Sequence, residues 1–215
     1  MSRLYTERPR ESHDARRAIL RSAERIFSEK GLEGARTDAI ARAARVNKAL
    51  LYYYFKSKDD LFLAVFDEYM NEAHREIMQI LSGEGSEREI VMRYAEALFD
   101  RLSQRPDAYQ LFQRFIMANP RLVKRLTKKY FVPRFRKITA VIRRGVRRGE
   151  FRPVDASQAS ICVGALIVFY FSSGPIMKTV AHIDPYSPRI LKKRKKEMME
   201  FIRYGLFKHP EANVI

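Results

Sequence analysis

Apolar residues recur three and four positions apart along almost the whole chain, and no stretch alternates apolar with polar residues as a half-buried strand would. The spacing predicts a first helix from about Ser12 to Lys30, with Ile19, Ala23, Ile26 and Phe27 on one face and Gly31 as its C-terminal cap. A short helix follows from Thr37, read as its N-cap, and carries Ile40, Ala41 and Ala44. Asn47 is the N-cap candidate of a third helix that runs to about Phe55. Ser57-Lys58-Asp59-Asp60 has the Ser-x-x-acid capping pattern and opens a long helix with Phe62, Phe66, Tyr69, Ala73, Ile77 and Ile80 on one side. After a loop at Gly83 and Gly85, helices are predicted over 87–104, 107–117, 120–130 and 132–148, with Pro106, Pro120 and Pro133 near their starts, where proline is tolerated. Gly149 to Asp155 reads as a turn. A very apolar helix follows to about Ser172, then a final helix over 187–207 and a frayed tail from His209 to Ile215. The fold class is all-α: an N-terminal three-helix domain over residues 1–58 and a C-terminal helical domain over residues 59–215.

Composition narrows the class. The 215 residues can bury a substantial core, and 46% hydrophobic with 31% charged content marks a folded globular chain. The one cysteine, Cys162, excludes an internal disulfide framework and fits a cytoplasmic protein; in its apolar helix it reads as a buried thiol. Met1 to Asp14 lacks the apolar segment of a secretory signal. The run Ile161 to Phe171 is shorter than the roughly 20 residues of a membrane span, so no membrane partner is expected. The formal net charge of +17 points to a polyanion such as nucleic acid, or to an anionic surface or ligand. Residues 1–60 hold 14 Lys and Arg against 9 Asp and Glu, so charge alone does not single out the N-terminus.

The informative stretch is residues 37–58, two short helices joined by a tight turn at Ala44-Arg45-Val46. This is a helix-turn-helix, whose second helix enters the DNA major groove. Ile40, Ala44, Val46, Leu51 and Phe55 would be buried between the helices, leaving Lys48, Ala49, Tyr52 and Tyr53 exposed on the second. Successive helical residues point about 100° apart, so Tyr52, Tyr53 and Tyr54 cannot all face one core. Thr37, Asn47 and Ser57 stand at helix starts, where backbone N–H groups can meet phosphate, and Lys58 lies just beyond.

The stretch ILRSAERIFSEKGLEGARTDAIARAARVNKALLYYYFKSKDDLF resembles the TetR (tetracycline-repressor-like) family of bacterial regulators. The features that carry the resemblance are Gly31, Thr37, Ile40-Ala41, Leu51-Tyr52, Phe55 and Lys58, in register over roughly residues 14–66. The family usually has glycine in the turn, where φ is often positive; here Arg45 either accepts a modest strain or turns differently, and its charge can add a phosphate contact. The resemblance implies that Thr37, Tyr52 and Lys58 contact phosphates and that Asn47, Lys48, Ala49, Leu50 and Tyr53 occupy the base-reading face. Lys48 would suit guanine O6 and N7, and Ala49 or Leu50 a thymine methyl. It further implies a homodimer, joined through the last two helices (about 156–172 and 187–207), that acts as a repressor on a palindromic operator and responds to an anionic or hydrophobic small-molecule effector. Gly164 and Ala165 would permit close helix approach at that interface. Tyr94, Leu98, Phe112, Phe115, Met117, Ile167 and Tyr170 are the candidate effector-lining residues; an ordinary core explains them nearly as well.

Two charge runs stay open. Residues 108–149 carry 13 Lys and Arg and no acid, and Lys192 to Lys196 reads KKRKK. Each is either a solvated helix face or a surface for an anionic ligand or DNA. A sequence-nonspecific, basic nucleic-acid-binding protein is the alternative function. The chain lacks G-x-S-x-G, a P-loop, H-E-x-x-H and paired cysteines, so an enzyme is not expected. His13, His74, His182 and His209 are isolated, and no metal site or cofactor is expected.

Overall fold

Among the described residues each apolar stripe of the sequence becomes a helix, and most breaks fall at a glycine, a proline or a capping side chain. The structure, a computed structural model, describes residues 8–106, 109–110, 113, 117 and 120–208. Along these run α1 (Arg8–Gly34), α2 (Thr37–Ala43), α3 (Lys48–Tyr54), α4 (Lys58–Ser82) and α5 (Glu87–Gln104). There follow α6 (Pro120–Leu126), a π-helical turn (Thr127–Phe131), α7 (Val132–Arg147), α8 (Ala156–Ser172), α9 (Gly174–Ala181) and α10 (Pro188–Leu206). The fold is all-α; the extended pairing found among the described residues is an isolated bridge between Phe151 and Phe207. The chain divides into two compact units, Met1–Asn71 and Glu72–Ile215, with the boundary inside α4.

In the N-terminal unit, Ile19, Ala23, Phe27, Ile40, Leu51, Leu61 and Phe62 are fully buried. The Phe27 and Phe62 rings meet edge to face at 5.1 Å, and the Arg16 guanidinium lies over the Phe55 ring at 5.4 Å. The first contact ties α4 to α1 and the second ties the end of α3 to α1, while α2 packs directly on α1.

In the C-terminal unit, α5, α7 and α8 pack on one another and α10 lies against α5 and α8. Val91, Ala95, Phe99, Ile142, Ile167 and Phe171 form the centre of its core. Ser86 and Glu89 close a capping box at the start of α5, and the Asp155 carboxylate accepts from the Gln158 N–H at 2.8 Å at the start of α8. The turn after α7 is clamped from α5: Arg88 Nη2 donates to the carbonyls of Glu150 (2.9 Å) and Lys208 (2.5 Å), while Phe151 stacks on Phe207 at 5.2 Å. Among the described residues no single helix is long and apolar enough to cross a membrane; α8 and α9 reach that length only together, across a 66° bend.

Several expectations are corrected. The helical run of α1 breaks at Gly31 (φ 69°, ψ 177°), where its end was expected, and a further short helical segment carries it to Gly34. Thr37 is the first residue of α2 rather than its cap, a position held by Arg36 without a side-chain bond. The helices expected over 120–130 and 132–148 are joined rather than broken at Pro133. Proline cannot donate to the carbonyl four residues back, and the backbone widens here so that the Val132 N–H reaches the Thr127 carbonyl, five residues back. α9 was not expected; Gly174-Pro175 forms its first turn, where proline is at home. Cys162 is exposed, because the core face of α8 is set by Val163, Ile167 and Tyr170. The tail 209–215 and most of the helix expected over 107–117 lie outside the described residues.

Candidate nucleic-acid interface

The helix-turn-helix is built by local rules. α2 ends in a Schellman motif: the Arg45 N–H donates to the Arg42 carbonyl (3.1 Å) and the Val46 N–H to the Ala41 carbonyl (3.0 Å). This motif needs a left-handed residue after the cap, and Arg45 supplies it at φ 57°. Of the alternatives left open for Arg45, strain in the usual geometry is therefore the one adopted. An L-residue pays roughly 1 kcal/mol or more for this conformation. Two residues on, the Asn47 side chain accepts from the Leu50 N–H at 2.7 Å and starts α3, as expected. Ile40, Ala44, Leu51 and Phe55 are buried and Val46 half-buried. This inward set turns Lys48, Ala49, Tyr52 and Tyr53 outward on one face of α3, with Leu50 half-buried and Tyr53 79% exposed.

Two contacts tie the start of α2 to that exposed face. Thr37 Oγ1 lies 3.2 Å from the Tyr52 hydroxyl, which brings together two of the expected phosphate contacts. Lys48 Nζ lies 2.8 Å from Asp38 Oδ1. Its hydrogen bond and charge hold the Asp38 carboxyl below the usual range and the Lys48 ammonium above it. Both side chains are exposed, so the pair is weak and exchangeable, yet it orients the lysine along α3. Asp38 was not singled out from the sequence; nothing in its spacing from Lys48 announces a contact across the turn. Arg45 is exposed at the turn itself, and Lys58 begins α4, where Ser57 Oγ accepts from the Asp60 N–H at 3.0 Å. All nine DNA-contact candidates thus belong to the two helices, their turn and the first residue of α4.

The effector candidates fall into three groups. Tyr94, Leu98, Ile167 and Tyr170 are buried in the one core cluster of the C-terminal unit. Met117 is 67% exposed, and Phe112 and Phe115 lie outside the described residues. The Tyr170 hydroxyl donates to the Pro185 carbonyl at 2.6 Å, with the Arg194 guanidinium over its ring at 5.0 Å.

Residues 19–65 match the family model described as bacterial regulatory proteins, tetR family, and residues 87–202 match that of the tetracyclin repressor-like C-terminal domain. The chain belongs to the TetR family. It is therefore a helix-turn-helix DNA-binding transcription regulator by family. It is similar to the HTH-type transcriptional regulator RutR of Escherichia coli, with 28% identity over 172 residues that cover 77% of each chain. Among solved structures, a TetR/AcrR-family regulator from Thermobifida fusca superposes with a TM-score of 0.75 at 23% identity, over 89% of this chain and 98% of that one. The Bacillus subtilis regulator FadR, solved with stearoyl-CoA, superposes at 0.67 with 17% identity, over 86% and 96%.

Proposed function

We propose that this TetR-family chain is a ligand-responsive repressor that binds a palindromic operator as a homodimer. The observation that carries the DNA-binding half is the exposed face of α3, which aligns Lys48, Ala49, Tyr52 and Tyr53 on a turn fixed by the Arg45 Schellman motif. Thr37, Tyr52, Lys58 and Arg45 would neutralise or bond phosphates and set register; Asn47, Lys48, Ala49, Leu50 and Tyr53 would read base edges.

Support for the homodimer comes from α8 and α10. Ile161 and Phe169 on α8, and Phe201 and Tyr204 on α10, are large apolar side chains more than half exposed. Between the helices runs a groove of about 350 Å³ lined by Cys162, Leu166, Phe201 and Gly205 among others. A Cβ added at Gly164 or Gly205 would meet nothing within 4 Å of the same chain, so both backbones are open to a partner. A two-fold pairing of these faces would bury the apolar patch and present two α3 helices to half-sites about one DNA turn, roughly 34 Å, apart.

The effector half rests on family likeness. FadR binds stearoyl-CoA in its solved complex, and RutR and this chain share most of their length. An effector in the C-terminal unit would act by its differential affinity for the DNA-competent and incompetent states.

Selection of bound duplexes from a random DNA pool at near-physiological salt tests the DNA reading. A palindromic consensus is expected. Recovery of no consensus, with binding that collapses as salt rises, would instead favour the charge-driven, sequence-nonspecific alternative that the net charge of +17 allows.

A further inference from the structure

Among the described residues of the C-terminal unit, Arg101, Arg134 and Arg194 each bury an Nε without a hydrogen bond of its own. Two of them are satisfied at the other end of the guanidinium. Arg101 Nη2 donates to Glu72 at 2.7 Å and Arg194 Nη2 to the Leu166 carbonyl at 2.9 Å. Among the described residues Arg134 has no carboxylate or carbonyl of this kind. Its one aromatic neighbour on the same stretch is Phe131, with the guanidinium 6.0 Å from the ring centroid.

Arg134 sits in the first turn of α7, directly after the π-helical turn, a backbone irregularity that recurs at functional sites. Within electrostatic reach of it are the buried Tyr94 of α5, one of the effector candidates, and His74 of α4, whose Nδ1 is also buried without a partner. Tyr130 of the π turn packs edge to face on His74 at 5.5 Å, and Lys129 lies over the Tyr130 ring at 4.9 Å. Burial pushes the Arg134 guanidinium down from its ordinary value, opposed only by Tyr94. Burial likewise lowers His74, and the positive charges of Arg134 and Lys129 lower it further. Arg134 is half-buried, with its Nε closed off and, among the described residues, no carboxylate paired with it; a partly desolvated cation without a counter-ion is costly. Arginine cannot escape by deprotonation, and its planar fork is shaped for two oxygens of one headgroup.

The geometry points to Arg134, with Tyr94 and His74, as the receptor for the oxyanion headgroup of a small amphipathic acid, a carboxylate or a phosphate ester. Tyr94 belongs to the apolar core cluster, which supplies a wall for the hydrocarbon part of such a ligand. This deepens the effector reading and rests on it: the bound anion would be the effector.

The test uses the full-length protein at fixed ionic strength near neutral pH, with sodium octanoate, octyl phosphate, octanamide and inorganic phosphate as probes. Calorimetric titration and thermal denaturation are run on the parent, Arg134→Met and Arg134→Lys. Octanoate or octyl phosphate should bind the parent and raise its Tm, and octanamide, which lacks the charge, should not. Arg134→Met should weaken that binding by at least roughly 30-fold, and Arg134→Lys, which keeps the charge but loses the fork, should fall between. Without ligand, Arg134→Met should be at least as stable as the parent, because it removes a partly desolvated charge without a counter-ion at similar volume. Which of octanoate and octyl phosphate binds names the headgroup, and inorganic phosphate binding as well as either would assign the site to the free ion. The proposal is overturned if no anion stabilises the parent more than Arg134→Met, if octanamide binds like octanoate, or if unliganded Arg134→Met and Arg134→Lys both lose several degrees of Tm. Operator affinity measured with and without the bound anion separates the two readings: binding without any effect on DNA would keep the site and remove the effector role.

Discussion

Arg45 holds the left-handed position of the turn between α2 and α3 (φ 57°), its N–H and that of Val46 closing the Schellman motif while its side chain is exposed. Consider Arg45→Gly. The left-handed conformation costs an L-residue about 1–2 kcal/mol, and glycine removes that cost. The glycine chain is freer when unfolded, which takes back roughly 0.4–1 kcal/mol. The net is a stabilisation of about 0.5–1 kcal/mol, or a Tm rise of roughly 1–4 °C for a chain of this size. Arg45→Ala keeps the strained Cβ and should stay close to the parent. DNA binding should move the other way. Each lost phosphate contact flattens the plot of log K against log salt by about 0.9, so the proposed dimer should lose roughly 1.8 from its slope in both variants. Denaturant titration at fixed protein concentration and fluorescence anisotropy over a salt series measure the two effects. If Arg45→Gly were no more stable than Arg45→Ala, the turn stores no strain; an unchanged salt slope would mean that Arg45 meets no phosphate.

Tyr52→Phe removes the hydroxyl that lies 3.2 Å from Thr37 Oγ1 and should weaken binding to all DNA sequences alike, measured by competition against random duplexes. Lys48→Ala should relax preference at one base pair per half-site, worth about 1–3 kcal/mol there; an untouched sequence profile after repeat selection would refute the base-reading role. Glu87 is 3% exposed and accepts from Arg144 (3.1 Å) and Arg148 (2.9 Å), so Glu87→Gln should cost about 1–3 kcal/mol, seen by denaturant titration. Burial alone would raise the Glu87 carboxyl, but the hydrogen bonds from Arg144 and Arg148 hold it below the usual carboxylate range. Its contribution is therefore complete above the unfolded value of about 4.3 and is lost as pH falls through the lower folded value, and Glu87→Gln should flatten the acid limb of a stability profile. Gly145→Ala should destabilise by about 1–3 kcal/mol, because its Cβ would come within 2.5 Å of the Phe151 ring, and a Tm equal to the parent's would count against that packing.

What the sequence disclosed is what neighbouring residues decide. Ile40, Leu51 and Phe55 could be placed inside and Tyr52 and Tyr53 outside because a helix repeats every 3.6 residues. Asn47 could be named as a cap because its role needs only the next three residues. Arg45 stands where the resembled family usually has glycine, which leaves strain and a different turn both open; its φ of 57° decides for strain. Beyond that range the reading failed in physical ways. Thr37 looks like a cap, but its hydroxyl goes to Tyr52, 15 residues on. Gly174-Pro175 reads as a break in one dimension, yet the same pair suits the first turn of α9; an added Cβ at Gly174 would collide with the Tyr186 hydroxyl, which donates to the Phe171 carbonyl at 2.9 Å. Cys162 sits in an apolar run, but apolarity along a helix does not say which side is covered, and it lies outward.

Charge shows the same limit most clearly. The acid-free run 108–149 reads as a polyanion surface or a solvated face, and it is not wholly either. Arg144 and Arg148 turn to Glu87, 57 and 61 residues away, and Lys137 Nζ donates to Ser82 Oγ at 3.0 Å. Within KKRKK, Lys195 lies 2.8 Å from both Glu96 and Asp100, and Arg194 is spent on Leu166 and Tyr170. These cations are paired or hydrogen-bonded inside the C-terminal unit. The net charge of +17 already counts those acids, so what an operator would feel depends on which of the remaining cations face it. If the specific complex draws its salt dependence from Arg45, Lys58 and the other phosphate contacts around α3, its slope should report a handful of contacts per subunit, not the formal charge. Lys193→Ala, on an exposed part of α10, should then leave both the slope and the operator affinity where they were, and a slope that fell with it would return the basic C-terminal helices to the DNA interface.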